Sequence, residues 1–466
     1  MTSFASAVVN QEARTNNGMK ALKTSANACV DLFYAIGASR GKNIVPAFVA
    51  AYVENREVAM RIALWARDVR GGAGERQLYK DIVAYLDKHN LADALRLLNK
   101  TPEVGRWDDL FALTSGEGEF AANTVIAKAL KAGNGLCAKW MPRKGERAVQ
   151  LRKFLGLSPK EYRKTLVGLT QVVETQMCAK DWDNINFSHV PSLASARYRN
   201  AFQRNTPEFA KYVESLVKGE AKVNVGAVYP YDVVKSVLMR YDLTQTENDF
   251  VEQQWNAMEN FIGDANILPM IDVSGSMMCP AGGNASLTCL HVAISLGLYC
   301  ADKNTGAFKD LFLTFSERPN IEKISGSIVQ KLAQIRTADW GMNTNVLAAM
   351  DKVLNVAKQG AVSQEQMPKM LVIFSDMQFD RCSRFDDSAM EGFKRRFEAA
   401  GYEMPKIVFW NLNGANNVPV KSNASGVALV SGFSPALMKA LLSNDLEDFT
   451  PESIMLKTVM VPRYDF

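Results

Sequence analysis

A chain of 466 residues with 47% hydrophobic, 22% charged and 9% aromatic side chains has globular proportions, which excludes a disordered, collagenous or low-complexity protein. Seven scattered cysteines without a Cys-x-x-Cys pair, beside only three histidines, exclude a disulfide framework, thioredoxin chemistry and structural zinc. The formal net charge of +5 is unevenly divided. Residues 1–263 carry 35 basic and 28 acidic side chains and residues 264–466 carry 19 and 21, so the basic front half points to an anionic partner.

The first residues, Met1-Thr-Ser-Phe-Ala-Ser, have no basic stretch leading into an apolar core, so no secretory signal is expected. No window approaches ~18 consecutive apolar residues, so no membrane span is expected either. A soluble, cytoplasmic, monomeric protein with reduced thiols is the expectation. From the start to residue 262 the apolar spacing is helical, as in Val45-Pro-Ala-Phe-Val-Ala-Ala-Tyr-Val and Val58-Ala-Met-Arg-Ile-Ala-Leu-Trp-Ala. Breaks are expected at Gly71-Gly72, Thr101-Pro102, Gly133-Asn134-Gly135, Ser158-Pro159 and Tyr229-Pro230. Blocks of that size suggest stacked helical hairpins of the HEAT kind, although no fixed repeat period is visible.

Within this half, Arg67-Asp-Val-Arg70-Gly-Gly-Ala-Gly74-Glu-Arg76 reads as a tight interhelical turn held by Arg–Asp pairs. It lacks the Lys-Ser or Lys-Thr and the preceding strand of a phosphate-binding Walker loop. Arg106-Trp-Asp-Asp and Asp181-Trp-Asp-Asn read as buried tryptophan anchors with polar caps, and His189 as a structural hydrogen-bonder. The densest basic stretch comprises Lys128, Lys131, Lys139, Arg143, Lys144, Arg147, Arg152, Lys153, Lys160, Arg163 and Lys164, against Glu146 and Glu161 alone. Trp140, Phe154 and Tyr162 are interleaved. Cations that attract phosphates and rings on which bases stack suit single-stranded nucleic acid. For this stretch taken alone, a solvated helix face with its aromatics in the core is the plainer reading. Lys139, Arg143, Lys144 and Arg147 would crowd one side of a helix beginning near Pro142.

From Asp264 onward the rhythm changes to strand and helix in alternation. Strands are expected at Asn266–Ile271, Lys309–Phe315, Met370–Ser375, Lys406–Trp410 and Gly426–Ser431. Helices are expected at Ser286–Ala301, Val346–Ala357, Met390–Ala400 and Pro435–Leu442. That alternation predicts a doubly wound parallel sheet, in which ligands sit beyond the carboxyl ends of the strands at a topological switch point. Asp272-Val-Ser274-Gly-Ser276 follows the first strand, Thr344 precedes a helix, and Asp376 ends a strand. Carboxylates and hydroxyls are hard oxygen donors that suit Mg2+ or Mn2+. The plainer alternative is that these common turn residues merely cap the sheet. Phosphoryl transfer of the haloacid dehalogenase kind would need a second carboxylate where Ser274 stands, and it is rejected.

The ordered Asp, Ser, Ser, Thr, Asp set resembles the metal-ion-dependent adhesion site of the von Willebrand factor A domain. The resemblance implies Ser274, Ser276 and Thr344 as hydroxyl ligands, Asp272 and Asp376 as carboxylates acting directly or through water, and one position left for an acidic group of a partner. Asn343 and Met377 stand where that family commonly has Gly.

Together with the helical half, in which Arg67–Arg76, Gly105–Leu110 and Lys139-Trp-Met-Pro-Arg143 carry the likeness, the whole chain resembles Ro-type ribonucleoproteins with a TROVE module. It looks closer still to a related uncharacterised family in which Asn186-Phe-Ser-His-Val-Pro-Ser, Phe374-Ser-Asp-Met-Gln-Phe-Asp and Ser431-Gly-Phe-Ser-Pro-Ala-Leu recur. The implied architecture is an α-helical repeat domain over 1–262, a ring or horseshoe, and an α/β A-like domain over 263–466. The implied function is non-enzymatic RNA binding, with Lys128, Lys131, Lys139, Arg143, Lys144, Arg147, Arg152 and Lys153 as candidate contacts. A protein–protein module that grips an acidic partner through its metal is the alternative.

Overall fold

Two short strands, β1 (Glu12–Arg14) and β2 (Lys20–Leu22), form an antiparallel hairpin ahead of the first helix. The computed structural model describes residues 12–226, 228–238, 243–281, 286–315, 318–337, 344–379, 389–414, 417–442 and 448–466. The hairpin corrects the expectation of helix from the start. Leu22 extends its pairing by a bridge to Val418, which ties the N-terminal segment to the C-terminal half.

From Ala28 to Asn256 the described chain is mostly helical, and its helix ends follow the local residues. Asn27, Asn55, Asn90, Ser115, Asn134 and Ser158 each accept a first-turn N–H with their side chains, satisfying donors that the helix itself cannot. Pro159 and Pro230 open helices, where a missing N–H costs nothing. Thr101-Pro102, expected as a break, opens a further short helix, Thr101–Val104.

The Arg67–Arg76 segment is the interhelical turn between Arg56–Arg67 and Arg76–His89, and Arg–Asp pairs do hold it. Buried Arg67 meets buried Asp109 at 2.6 Å. Asp68 accepts from the Arg463 guanidinium at 2.8 Å and from Tyr464 Oη at 3.1 Å, near the last residue of the chain. Only glycine fits at position 72, because a Cβ there would lie 1.8 Å from Trp65 O.

The second half forms a six-stranded sheet in the order β5-β4-β3-β6-β7-β8. Its strands are β3 (Ile267–Asp272), β4 (Leu311–Phe315), β5 (Ile321–Lys323), β6 (Met370–Ser375), β7 (Lys406–Asn411) and β8 (Val427–Ser431). All neighbours are parallel except β4 and β5, so the sheet is mixed rather than wholly parallel. β5, the helix Ile328–Thr337 and the helix Pro451–Val459 were not expected. The residues of β3, β6 and β8 are all buried, as strands covered on both faces must be. The helix Cys289–Lys303 crosses from β3 to β4 and lies against β3 so closely that a Cβ at Gly297 would meet the Ile271 side chain at 2.4 Å.

The two halves share one core. The helix Ala28–Ile36 lies on β8, Gly37 N donates to Ser431 Oγ at 3.0 Å, and Ser431 Oγ donates to Phe33 O at 2.9 Å. A separate small core collects Ile185, Phe187, Phe202, Phe209 and Phe250 between 173 and 250, with Trp182 half-buried at its edge. No helix among the described residues is long and apolar enough to cross a membrane.

Candidate metal centre and basic surface

Sheet order reverses between β3 and β6, the two strands that lead the chain in opposite directions across the sheet. A crevice forms beyond the strand ends at such a switch point. Asp272 ends β3, Ser375 ends β6 and Asp376 follows it, so both carboxylates arrive there on strands buried along their length.

Hydrogen bonds link the expected residues into one network. Asp272 accepts the Ser274 N–H at 2.9 Å and the Ser375 hydroxyl at 2.5 Å. Ser274 Oγ and Ser276 Oγ stand 3.0 Å apart, and Ser276 also bonds the Asp376 side chain. Asp376 accepts the Gln378 N–H at 3.2 Å, and Thr344 donates to Gln378 O at 2.8 Å. Asp272, Ser274, Thr344 and Asp376 are buried, while Ser276 is exposed. The other members of the second loop, Gly341, Met342 and Asn343, lie outside the described residues. Among the described residues no group of three or more His, Cys, Asp or Glu side chains could hold a metal, so any cation here would rely on hydroxyls beside the two carboxylates.

The electrostatics favour a cation. Burial pushes the Asp272 carboxyl up to about 6, against the Ser375 hydrogen bond and with a further contribution from Asp376. Burial raises Asp376 as well. Two buried carboxylates with no basic side chain among their named contacts are costly as anions, and a divalent ion relieves both at once. The donor set therefore fits Mg2+ or Mn2+. Met377 takes φ +66°, a left-handed conformation costly for a side chain. Its side chain is buried, and its N–H donates to Ser375 Oγ at 3.0 Å, holding the turn.

Three residues of this centre escaped sequence reasoning. Ser375 was readable only as the end of a strand, and Gln378 only as a neighbour of Asp376. Asn17 carried no signal, since it sits in the remote β1–β2 turn. Its Nδ2 donates to Gln378 O at 2.7 Å and reaches Thr344 Oγ1 at 3.3 Å. Thr15 Oγ1 donates to Phe379 O at 2.6 Å, and Asn16 N to Gln378 Oε1 at 2.8 Å. The hairpin turn is thus fastened onto the centre.

The basic stretch divides. Lys128, Lys131, Arg143, Lys144 and Lys153 are exposed, as are Lys160, Arg163 and Lys164. Four candidates serve the fold as well, Arg143 by donating to Thr170 Oγ1 at 3.2 Å. Arg147 pairs with Glu119 and lies over the Phe111 ring, Arg152 donates to Leu157 O at 3.0 Å, and Lys139 lies 5.7 Å from the Trp140 ring centre. The expected single helix does not exist. The helix Gly135–Trp140 ends before Pro142, Gly145 turns with φ +83°, and a new helix runs Glu146–Phe154. Lys139 and Arg147 therefore flank a loop that presents Arg143 and Lys144.

The aromatics divide too. Tyr162 is core, with its hydroxyl donating to Pro142 O at 2.9 Å, and Trp140 stacks under Arg106 at 3.7 Å. Phe154 makes an edge-on pair with Phe120, and both are exposed, Phe120 by 64%. His189, expected to be a structural hydrogen-bonder, is exposed and bonds Asn186 O through its backbone N–H.

Residues 121–267 match the family described as Domain of unknown function (DUF2828), and residues 266–460 match Domain of unknown function (DUF7788). The uncharacterized protein L728 of Acanthamoeba polyphaga mimivirus is 31% identical over 506 residues, covering 95% of this chain and 86% of its own length. The crystal structure of the Deinococcus radiodurans RO (RSR) protein aligns over 93% of this chain and 99% of its own, with a TM-score of 0.47 and 12% identity.

Proposed function

The chain belongs to the family of the mimivirus protein L728, and from that premise we propose that it is a non-enzymatic RNA-binding protein. In this reading a helical-repeat unit of the Ro type holds single-stranded RNA on its basic surface. The sheet unit is a von Willebrand factor A-like domain with a Mg2+ or Mn2+ centre.

The observation that carries the reading is the exposed surface of residues 120–164. Arg143 and Lys144 project from one loop, Lys153 stands beside Phe154, and Phe154 pairs with Phe120 in the open. Exposed rings gain nothing from solvent, whereas a base stacked on such a ring is worth about 1–3 kcal/mol. Phosphates would meet the exposed lysines and arginines. The sequence likeness to Ro-type proteins supports the same partner.

At the metal centre Ser274, Ser276 and Thr344 would supply hydroxyls, and Asp272 and Asp376 the negative charge. A bound ion would add positive charge and an open position for an oxygen donor. The hairpin turn at Asn17 covers the Thr344 side of that position, which counts against an acidic protein partner as the main ligand. Six free thiols among the described cysteines suit a cytoplasmic protein.

The test is a fluorescence-anisotropy titration with a labelled single-stranded RNA and, in parallel, a polyphosphate of equal charge. The proposal expects RNA to bind at least tenfold tighter, because only RNA offers bases to Phe120 and Phe154. Equal affinities would reduce the surface to a plain polyanion site, and no binding of either would end the RNA reading.

A further inference from the structure

Cys279 and Cys289 face each other beyond the carboxyl ends of the strands, next to the candidate metal centre, where the Cys279 N–H donates to Ser276 O at 3.1 Å. Their sulfurs stand 3.4 Å apart. The backbone holds them in register, with a bridge pairing Pro280 with Thr288 in antiparallel sense, Ala281 N donating to Leu287 O at 2.7 Å, and Cys289 N donating to Cys279 O at 3.1 Å. Residues 279 and 289 are therefore directly opposed in a two-stranded antiparallel clamp. Opposed residues of the hydrogen-bonded type have Cα atoms roughly 5.5 Å apart, within the ~4.4–6.8 Å that a disulfide spans. Closing the bond needs side-chain rotation only.

The two thiols differ in setting. Cys289 is buried at the start of the helix Cys289–Lys303, with its sulfur 3.5 Å from Leu412 O. Cys279 is half-buried, and the Asn413 Nδ2–H donates to its sulfur at 3.3 Å. Lys42 lies close by, bound to Asn413 Oδ1 at 3.3 Å. A half-buried sulfur beside a buried thiol 3.4 Å away is the arrangement of an attacking and a resolving cysteine.

We propose that Cys279 and Cys289 form a reversible oxidation site that hydrogen peroxide converts to an intramolecular disulfide. The Cys279 sulfur attacks the peroxide and its thiol proton is released. A sulfur–oxygen bond forms, the oxygen–oxygen bond breaks, and the leaving hydroxide takes a proton to become water. Cys289 then attacks the Cys279 sulfenic acid, forming the sulfur–sulfur bond and breaking the sulfur–oxygen bond. The oxygen leaves as a second water with the Cys289 proton. Two thiols lose two electrons in total and one peroxide gains them.

The test uses the full-length protein, reduced and then exposed to stoichiometric hydrogen peroxide, alkylated without reductant, and digested for mass spectrometry. The proposal expects a linked peptide pair lacking two hydrogens and joining Cys279 to Cys289. The pair should appear before the exposed Cys178 is oxidised and disappear on treatment with dithiothreitol. Cys289→Ser should stop at a Cys279 sulfenic acid that a cyclic dione traps. The proposal is overturned if both thiols remain alkylatable while Cys178 oxidises, if Cys279 proceeds to sulfinic acid without linkage in the parent, or if the dione finds no adduct at Cys279 in the variant.

Discussion

Replacing Asp272 by Asn separates the cost of the centre from its use. The Asp272 carboxyl is fully buried and raised to about 6 from an ordinary value near 3.8. A shift of about 2 pKa units corresponds to about 3 kcal/mol between the charged and neutral forms. A raised carboxyl favours the protonated state, so that cost is absent below pH 4, grows as the pH rises through 6, and is fully present at pH 7.5.

The amide removes the charge with little change of shape. Its oxygen can still accept the Ser274 N–H, and the Ser375 hydroxyl can turn to accept from its NH2. Without divalent ions at pH 7.5, Asp272→Asn should therefore be more stable than the parent by about 2 kcal/mol, after allowance for a less ideal hydrogen-bond set. With Mg2+ at about 100 times its dissociation constant, the parent should gain about 2.7 kcal/mol and the variant nothing. Thermal unfolding with and without EDTA reads both effects. A variant that is less stable than the metal-free parent, or that gains equally from Mg2+, would refute the reasoning.

Three further outcomes follow from separate contacts. Chelation should leave RNA affinity within a factor of about three, because the exposed cations lie before residue 165 and the oxygen donors after residue 271; a tenfold loss, or ~1.4 kcal/mol of coupling, would contradict it. Phe120→Ala combined with Phe154→Ala should leave the unfolding midpoint almost unchanged, since both rings are exposed, yet weaken single-stranded RNA binding by tenfold or more; equal binding in filter assays would remove the rings from the interface. Arg67→Ala should destabilise by about 3 kcal/mol, because it removes the 2.6 Å partner of buried Asp109 and leaves it the longer ion pair with Lys80, at 3.5 Å; a loss below about 1 kcal/mol in chemical denaturation would show that the remaining cations compensate.

The sheet was legible because β3 and β6 are apolar along nearly their whole length, and only a strand covered on both faces reads that way. β5 was not, since Ile321-Glu-Lys is short, polar and an edge, where antiparallel pairing needs no apolar run. Asp272, Ser274, Ser276, Thr344 and Asp376 were legible as donors in chain order, and the contacts bring them into one network. Asn17 was not, because its place follows from the docking of a distant hairpin. The basic stretch was legible as charge but not as surface. Arg147 is bound to Glu119 on the helix Gly116–Lys131, and the helix expected to begin near Pro142 begins only at Glu146, after the turn at Gly145.

The most direct measurement of the central claim is the salt dependence of single-stranded RNA affinity for the parent and for Arg143→Ala combined with Lys144→Ala. Both side chains are exposed on the loop between two helices, and their loss removes only one exposed hydrogen bond, from Arg143 to Thr170 Oγ1. If they contact phosphates, log affinity against log salt should become shallower by roughly 1.4, at ~0.7 per contact, and binding should weaken alike for unrelated sequences. If the double variant binds with the parent's slope and affinity at every salt concentration, this loop is only a solvated surface and the account of RNA binding through it is wrong.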